Sequence, residues 1–189
     1  MSIILASASP RRAELLQQVG LNFTVIPADI DESVYPNESV SSYVQRMAES
    51  KGEFIRQRRP SNDIIIAADT TVCIDEKILG KPQNQADCLE MMASLSGRIH
   101  KVYTAVVVSQ LDFKGSALST SEVSFREISQ SEALKYWQTG EPRDKAGSYA
   151  IQGKGAAFVT SLSGSYTGVV GLPLYELSQL LRETDVSIF

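Results

Sequence analysis

The sequence is poorest in the residues that build metal and redox centres. Its 189 positions hold one histidine, His100, and two cysteines, Cys73 and Cys88, which form no CxxC or zinc-like spacing. A multi-histidine or cysteine-ligated metal site is thereby excluded, and both thiols read as ordinary reduced ones. His100 lies at the start of a strand in "GRIHKVYTAVVV", where a structural hydrogen bond is the expected role. Long apolar runs are also missing. The opening "MSIILAS" is too short for a signal-peptide core and lacks a basic leader, and no later stretch reaches membrane-spanning length. A cytoplasmic location without a membrane partner is expected. Nor is there an excess of positive charge: the net charge is −4, which disfavours a nucleic-acid partner, since such binding depends on many cationic phosphate contacts. The one dense basic run, "RQRRP" at Arg56 to Pro60, falls at a helix end and reads as a solvated C-terminus.

What remains is the composition of an ordinary globular protein, with 43% hydrophobic and 21% charged residues and enough length for a sizeable core. The patterning alternates strand and helix. Strands are expected at Ile3–Ala6, Phe23–Ile26, Ile64–Ala68, Val102–Ser109 and Ser119–Ile128, with a hairpin turn at Asp75–Lys77 and a polar connector at Asp112–Ser116. Helices are expected at Pro10–Val19 and Val40–Arg58, and in "ADCLEMMASLSG" with Leu89, Met92 and Ala93 on one face. "SEALKYWQTG" and "PLYELSQLLRET" complete the helical set, the first stopped by Gly140 and the second opened by Pro173. The fold class is α/β: one mixed sheet flanked by helices, as a single domain over residues 1–189 or one domain in two lobes around a cleft.

Several residues sit against the local rules. In "ILASASPRRAELLQQVG", Ser9 suits an N-cap and Pro10 the first helical position, which puts Arg11 and Arg12 in the first turn. The positive helix end disfavours them there by about 0.3–1 kcal/mol each, and a bound anion would reverse that sign. Ser9, the two arginines and the exposed N–H groups make a phosphate cradle; solvation, or pairing with Glu14 or Asp29, is the alternative. Lys51 falls within the apolar stripe of Val44, Met47, Ala48 and Ile55. Either its ammonium snorkels to water or a fixed anion holds it. Asp69 closes the apolar run Ile64–Ala68, at a strand end where α/β proteins gather ligands, or else caps a turn through Thr71 N–H. Glu32, in "ADIDES", and Lys81, held extended before Pro82, are unremarkable alone. "DKAGSYAIQGKGAAFV" is neither a Walker loop nor a GxGxxG fingerprint: its spacing is one residue too long, and Gly155 follows Lys154 where Ser or Thr belongs. Its glycines permit close backbone approach and leave Gln152 as an amide able to read a base edge.

Assembled in order, "LASASPRR", "ESKG", "AADTTV", "GKP", "DKAGSYAIQG" and "GSYTGVVGLPL" closely resemble the Maf family of nucleoside triphosphate pyrophosphatases, in its branch selective for dTTP and UTP. The resemblance runs almost the whole chain. It implies a two-lobed Maf/ITPase-like fold with an elongated mixed sheet, a central cleft and often a homodimer. It further implies Asp69 as general base, a divalent Mg²⁺ or Mn²⁺ near Glu32 and Asp69, and Arg11, Lys51 and Lys81 around the triphosphate. Arg12, Thr70 and Gln152 match the family's positions for base selectivity. The implied reaction is attack of water on the α-phosphorus with departure of pyrophosphate. Two rivals stand beside it: a nucleotide-binding regulator without turnover, since the family is associated with arrest of cell division, and an RNA-binding module using the Arg56 run.

Overall fold

A computed structural model of the protein describes residues 2–59, 62–111, 113–184 and 186–188. Its strands are β1 (Ile3–Leu5), β2 (Phe23–Val25), β3 (Ile64–Ile74), β4 (Lys77–Leu79), β5 (Ile99–Gln110), β6 (Phe113–Phe125) and β7 (Val159–Ser163). The helices are α1 (Pro10–Gln18), α2 (Val40–Arg58), α3 (Gln85–Leu95), α4 (Gln130–Gln138), α5 (Tyr166–Val170) and α6 (Leu174–Leu181). The strands form a seven-stranded sheet in the order β2-β1-β3-β5-β6-β7, with β4 paired to β3 off that path. It is mixed: β1 runs parallel to β2 and β3, whereas β3–β4 and β6–β7 are antiparallel. β1 and the start of β3 are all-aliphatic and buried, the pattern of parallel strands covered on both faces.

The chain divides into two compact units, and β3, β5 and β6 each pass from one to the other along the sequence. Unit 1 comprises Met1–Asp69, Thr104–Ser119 and Gly171–Phe189. Here the stripe of α2, including Val44, Met47, Ala48 and Ile55, is buried. Gly52 lets that helix lie close to the sheet, since a Cβ there would already touch Ala67 and Val107 at 3.5 and 3.8 Å. Ser39 fixes the start of α2 by accepting a bond from Ser42 N–H. Unit 2 comprises Thr70–Tyr103 and Thr120–Val170. In it α3 packs on α4, and His100, Phe125, Tyr149, Phe158 and Tyr136 form a chain of mostly edge-on aromatic contacts. Gly147 has φ +67° and its Cα faces Val72, so any side chain there would collide with Val72.

Four expectations change. β3 does not end at Ala68 but runs to Ile74, because the β-branched stretch after Asp69 pairs with β4. The connector at Asp112–Ser116 is largely strand, since β6 begins at Phe113; Asp112 itself lies outside the described residues. On α3 the buried face is Cys88, Met92 and Leu95, and Ala93 is exposed. Arg56 is not a solvated terminus: it donates to the Asp63 and Ser109 carbonyls at 2.9 and 2.7 Å. Arg58 lies over the Phe54 ring, and Pro60 is outside the described residues.

Candidate active site

In unit 1 the anomalous lysine and two of the acidic residues meet. Lys51 Nζ donates to Asp69 Oδ1 at 2.7 Å and lies 2.7 Å from Glu32 Oε1. Of the two readings of this ammonium, a fixed anion rather than snorkelling is the one the structure shows, and the chain itself supplies it. The geometry follows from the elements. α2 turns Lys51 toward the sheet, while β3 carries Asp69 in mid-strand rather than at its end. Lys51 and Asp69 side chains are 11% and 12% exposed, whereas that of Glu32 is 50% exposed. The site is thus a buried ion pair with a second carboxylate reaching in from solvent.

Glu32 belongs to a segment without regular structure, yet α2 holds it in place. The Tyr43 hydroxyl donates to the Glu32 carbonyl at 3.0 Å. One turn on, Arg46 makes a bidentate pair with Glu38 at 2.6 Å, donates to the Ser33 carbonyl at 2.9 Å and lies 3.8 Å over the Tyr35 ring. The Arg46 bonds hold the Glu38 carboxyl down to about 2. Burial, with Asp69 and Glu32 nearby, pushes the Tyr43 phenol up to about 12. Asp31 turns back on its own loop, accepting from Ser33 N–H and Oγ–H at 2.9 and 2.6 Å.

Arg12 is buried, and two of its bonds point inward: Nε donates to the Gly171 carbonyl at 2.7 Å and Nη1 to Ser7 Oγ at 3.0 Å. Burial lowers its pKa against the opposing pull of Asp69. Arg12 thus fastens the start of α1 to the segment before α6. Ser9 takes the N-cap position but its side chain makes no capping bond, and with half-buried Arg11 it stands at the first turn of α1.

The remaining candidates belong to unit 2. Thr70 is half-buried in β3, and Lys81 and Gln152 are exposed. Lys81 sits in a loop fastened by Gly147 N–H to the Gly80 carbonyl at 3.1 Å. Gln152 lies in a turn held by Tyr136 and Glu141. His100 is structural as expected: Nε2 lies 2.8 Å from the Tyr149 hydroxyl, and burial pushes its pKa down to about 4. Cys73 and Cys88 are buried free thiols. The sequence signals missed Tyr43, Arg46 and Glu141, whose backbone partners lie in a loop or a short 3-10 turn that periodicity does not place.

The Glu32 and Asp69 carboxylates, brought together by Lys51, are of the hard-oxygen type that magnesium or manganese takes. Among the described residues no group of three or more His, Cys, Asp or Glu side chains exists to complete an all-protein cage. The pair therefore fits a cation that takes its other oxygens from phosphate and water, the usual arrangement for Mg²⁺ with a nucleotide.

Residues 2–184 match the family model described as Maf-like protein. The chain belongs to the Maf-like family. This Maf-like protein is 51% identical over 187 residues to a dTTP/UTP pyrophosphatase of Methylobacillus flagellatus, covering 98% of this chain and 94% of that one. It is 52% identical over 188 residues to a dTTP/UTP pyrophosphatase of Pseudoalteromonas atlantica, covering 98% of each. A solved HAM1 protein from Coxiella burnetii aligns over 96% of this Maf-like chain and 98% of its own at 15% identity and a TM-score of 0.52, a likeness of fold alone. No described helix of the Maf-like chain is long and apolar enough to cross a membrane.

Proposed function

We propose that this protein hydrolyses dTTP and UTP to the monophosphate and pyrophosphate, with water attacking the α-phosphorus and the whole chain serving as one catalytic domain. The observation that carries this reading is the Glu32–Lys51–Asp69 constellation. A site built only to bind phosphate gains nothing from two carboxylates, because they repel the ligand.

Asp69 is the general base. Lys51 engages Oδ1, and in this reading Oδ2 takes the proton of the attacking water. Lys51 also keeps the two carboxylates converged through its two 2.7 Å contacts. Glu32 and Asp69 are the residues that would hold a divalent cation, which when bound neutralises phosphate charge and orients its oxygens. Ser9, Arg11 and Lys81 contact the triphosphate, where their positive or donor groups stabilise charge on the leaving pyrophosphate. Arg12, Thr70 and Gln152 serve base selection. Uracil and thymine present an N3–H donor beside carbonyl acceptors, which a single amide pairs in bidentate fashion. Arg12 contributes to selection by its buried bonds, which fix its own segment.

The experiment is product analysis after incubation with UTP, dTTP, CTP, ATP or GTP and Mg²⁺. Release of UMP and dTMP with pyrophosphate supports the reading. Release of UDP with orthophosphate, or no turnover of any nucleotide, refutes it.

A further inference from the structure

The turn that carries Gln152 is anchored more firmly than an exposed turn requires. Gly153 N–H donates to the Ala150 carbonyl at 3.2 Å, which places Ile151 and Gln152 at the two central positions. Ile151 is buried and Gln152 is exposed. Both ends of the turn are fixed by one pair of side chains from α4 and the short 3-10 turn after it. The Tyr136 hydroxyl accepts from Ala150 N–H at 3.1 Å and donates to Glu141 Oε1 at 2.6 Å. The Glu141 carboxylate then accepts Gly155 N–H on Oε1 at 3.0 Å and Lys154 N–H on Oε2 at 2.9 Å.

The neighbouring glycines show how little slack this leaves. A Cβ on Gly153 would collide with the Glu141 carboxylate, and one on Gly155 would come within 2.7 Å of the Tyr136 hydroxyl and 2.8 Å of the Ala150 carbonyl. Tyr136 is itself 4% exposed, and burial followed by its bond to Glu141 pushes its phenol far up. A buried phenol and a carboxylate with three donors are costly to assemble unless each bond is made. Here three of those four bonds end on backbone N–H groups flanking a single exposed amide, and the fourth ties the two side chains together.

We propose that Glu141, acting with Tyr136, is a specificity-determining positioning residue that fixes the direction of the Gln152 amide and so the choice of uracil and thymine over cytosine. The inference rests on the base-reading role proposed for Gln152. Bidentate pairing requires the amide plane to be held within roughly 10–20°, and a side chain is directed no better than the backbone that bears it. Cytosine offers an exocyclic amine and an unprotonated N3 where uracil offers a carbonyl and N3–H, so a freely swinging amide accepts both by reversing its ends.

The test is the selectivity ratio, kcat/KM for UTP over kcat/KM for CTP, in wild type, Glu141→Gln, Tyr136→Phe, Gln152→Ala and the Glu141→Gln/Gln152→Ala double variant, each with a thermal melt. Glu141→Gln leaves one oxygen for three donors, and Tyr136→Phe removes the hydroxyl while keeping the ring that packs 5.1 Å from Phe158. Both are expected to lower the ratio roughly tenfold, the effect of losing one bond to a charged group. In the Gln152→Ala background, Glu141→Gln is expected to change the ratio no further. The inference is overturned if Gln152→Ala lowers the ratio while folded Glu141→Gln and Tyr136→Phe do not. It is also overturned if Glu141→Gln acts equally with and without Gln152. An unchanged ratio in Gln152→Ala refutes the base-reading role itself, and this inference with it. Should Glu141→Gln fail to fold, Tyr136→Phe alone decides.

Discussion

Replacing Lys51 by methionine removes an ammonium from between two carboxylates while keeping most of the stem that packs in the α2 stripe. The magnitude follows from the exposures. Lys51 and Asp69 are each nearly buried, at 11% and 12% of side-chain surface, and breaking such a pair costs about 3–5 kcal/mol because the remaining charge stays desolvated. The Glu32 arm is 50% exposed, so its loss adds little beyond about 0–1 kcal/mol and its carboxylate relaxes into water. A net loss of about 3 kcal/mol is expected. For a chain of this size that is roughly 6–12 °C in melting temperature, within what a domain stable by about 5–15 kcal/mol survives. The assay is a reversible melt at pH 7 by circular dichroism, paired with urea unfolding to check an unchanged slope. The Lys51→Met/Asp69→Asn double variant should lose less than the two single losses combined, since neither charge is then left alone. A Lys51→Met protein melting within about 1 °C of wild type would refute the buried pair as a structural and electrostatic unit.

His100 carries a depressed pKa of about 4 from burial; its neutral ring contributes stability that is fully present above the ordinary value near 6.5. That stability is lost as pH falls through about 4, up to roughly 3 kcal/mol. His100→Phe should flatten the stability profile across that window, and a profile identical to wild type contradicts this. Arg46→Ala releases the segment after Glu32 and should lower kcat for UTP roughly 10- to 100-fold through misplacement of the carboxylate. A kcat equal to wild type in a folded variant contradicts the clamp. Gly147→Ala meets both its positive φ and a 2.8 Å approach to Val72 Cγ1. A destabilisation of about 2–4 kcal/mol is expected in the urea midpoint, partly relieved by Val72→Ala; no shift contradicts it.

Much of unit 1 was legible because its signals are local and strong. The periodicity of α2 gives its limits and places Lys51 on the apolar stripe that the structure buries. That misfit left snorkelling or a fixed anion as its two explanations, and Asp69 and Glu32 supply the anion. The continuation of β3 was hidden because Asp69 interrupts an apolar run, and only pairing with β4 shows that strand geometry persists through it. β7 was missed because "VTSLS" is short and half-exposed, taking its strand character from the partner β6. Arg46 and Glu141 were silent for a related reason. Their importance lies in bonds to backbone in a loop at Ser33 and at the start of a short 3-10 turn at Lys154 and Gly155, and no periodic pattern marks a residue with such partners. The buried commitments of Arg12 to Ser7 and Gly171 were likewise unseen, since adjacent arginines at a helix start look alike until one of them turns inward.

The measurement that tests the central claim most directly is kcat/KM for UTP with Mg²⁺, determined in parallel for wild type and Asp69→Asn, each shown folded by its melt. An asparagine fills the same space but takes no proton, so a fall of roughly 10²- to 10⁴-fold is predicted, with pyrophosphate as the wild-type product. Turnover of UTP by Asp69→Asn at the wild-type rate would contradict the assignment of Asp69 as the base and, with it, the hydrolytic role of the Glu32–Lys51–Asp69 constellation.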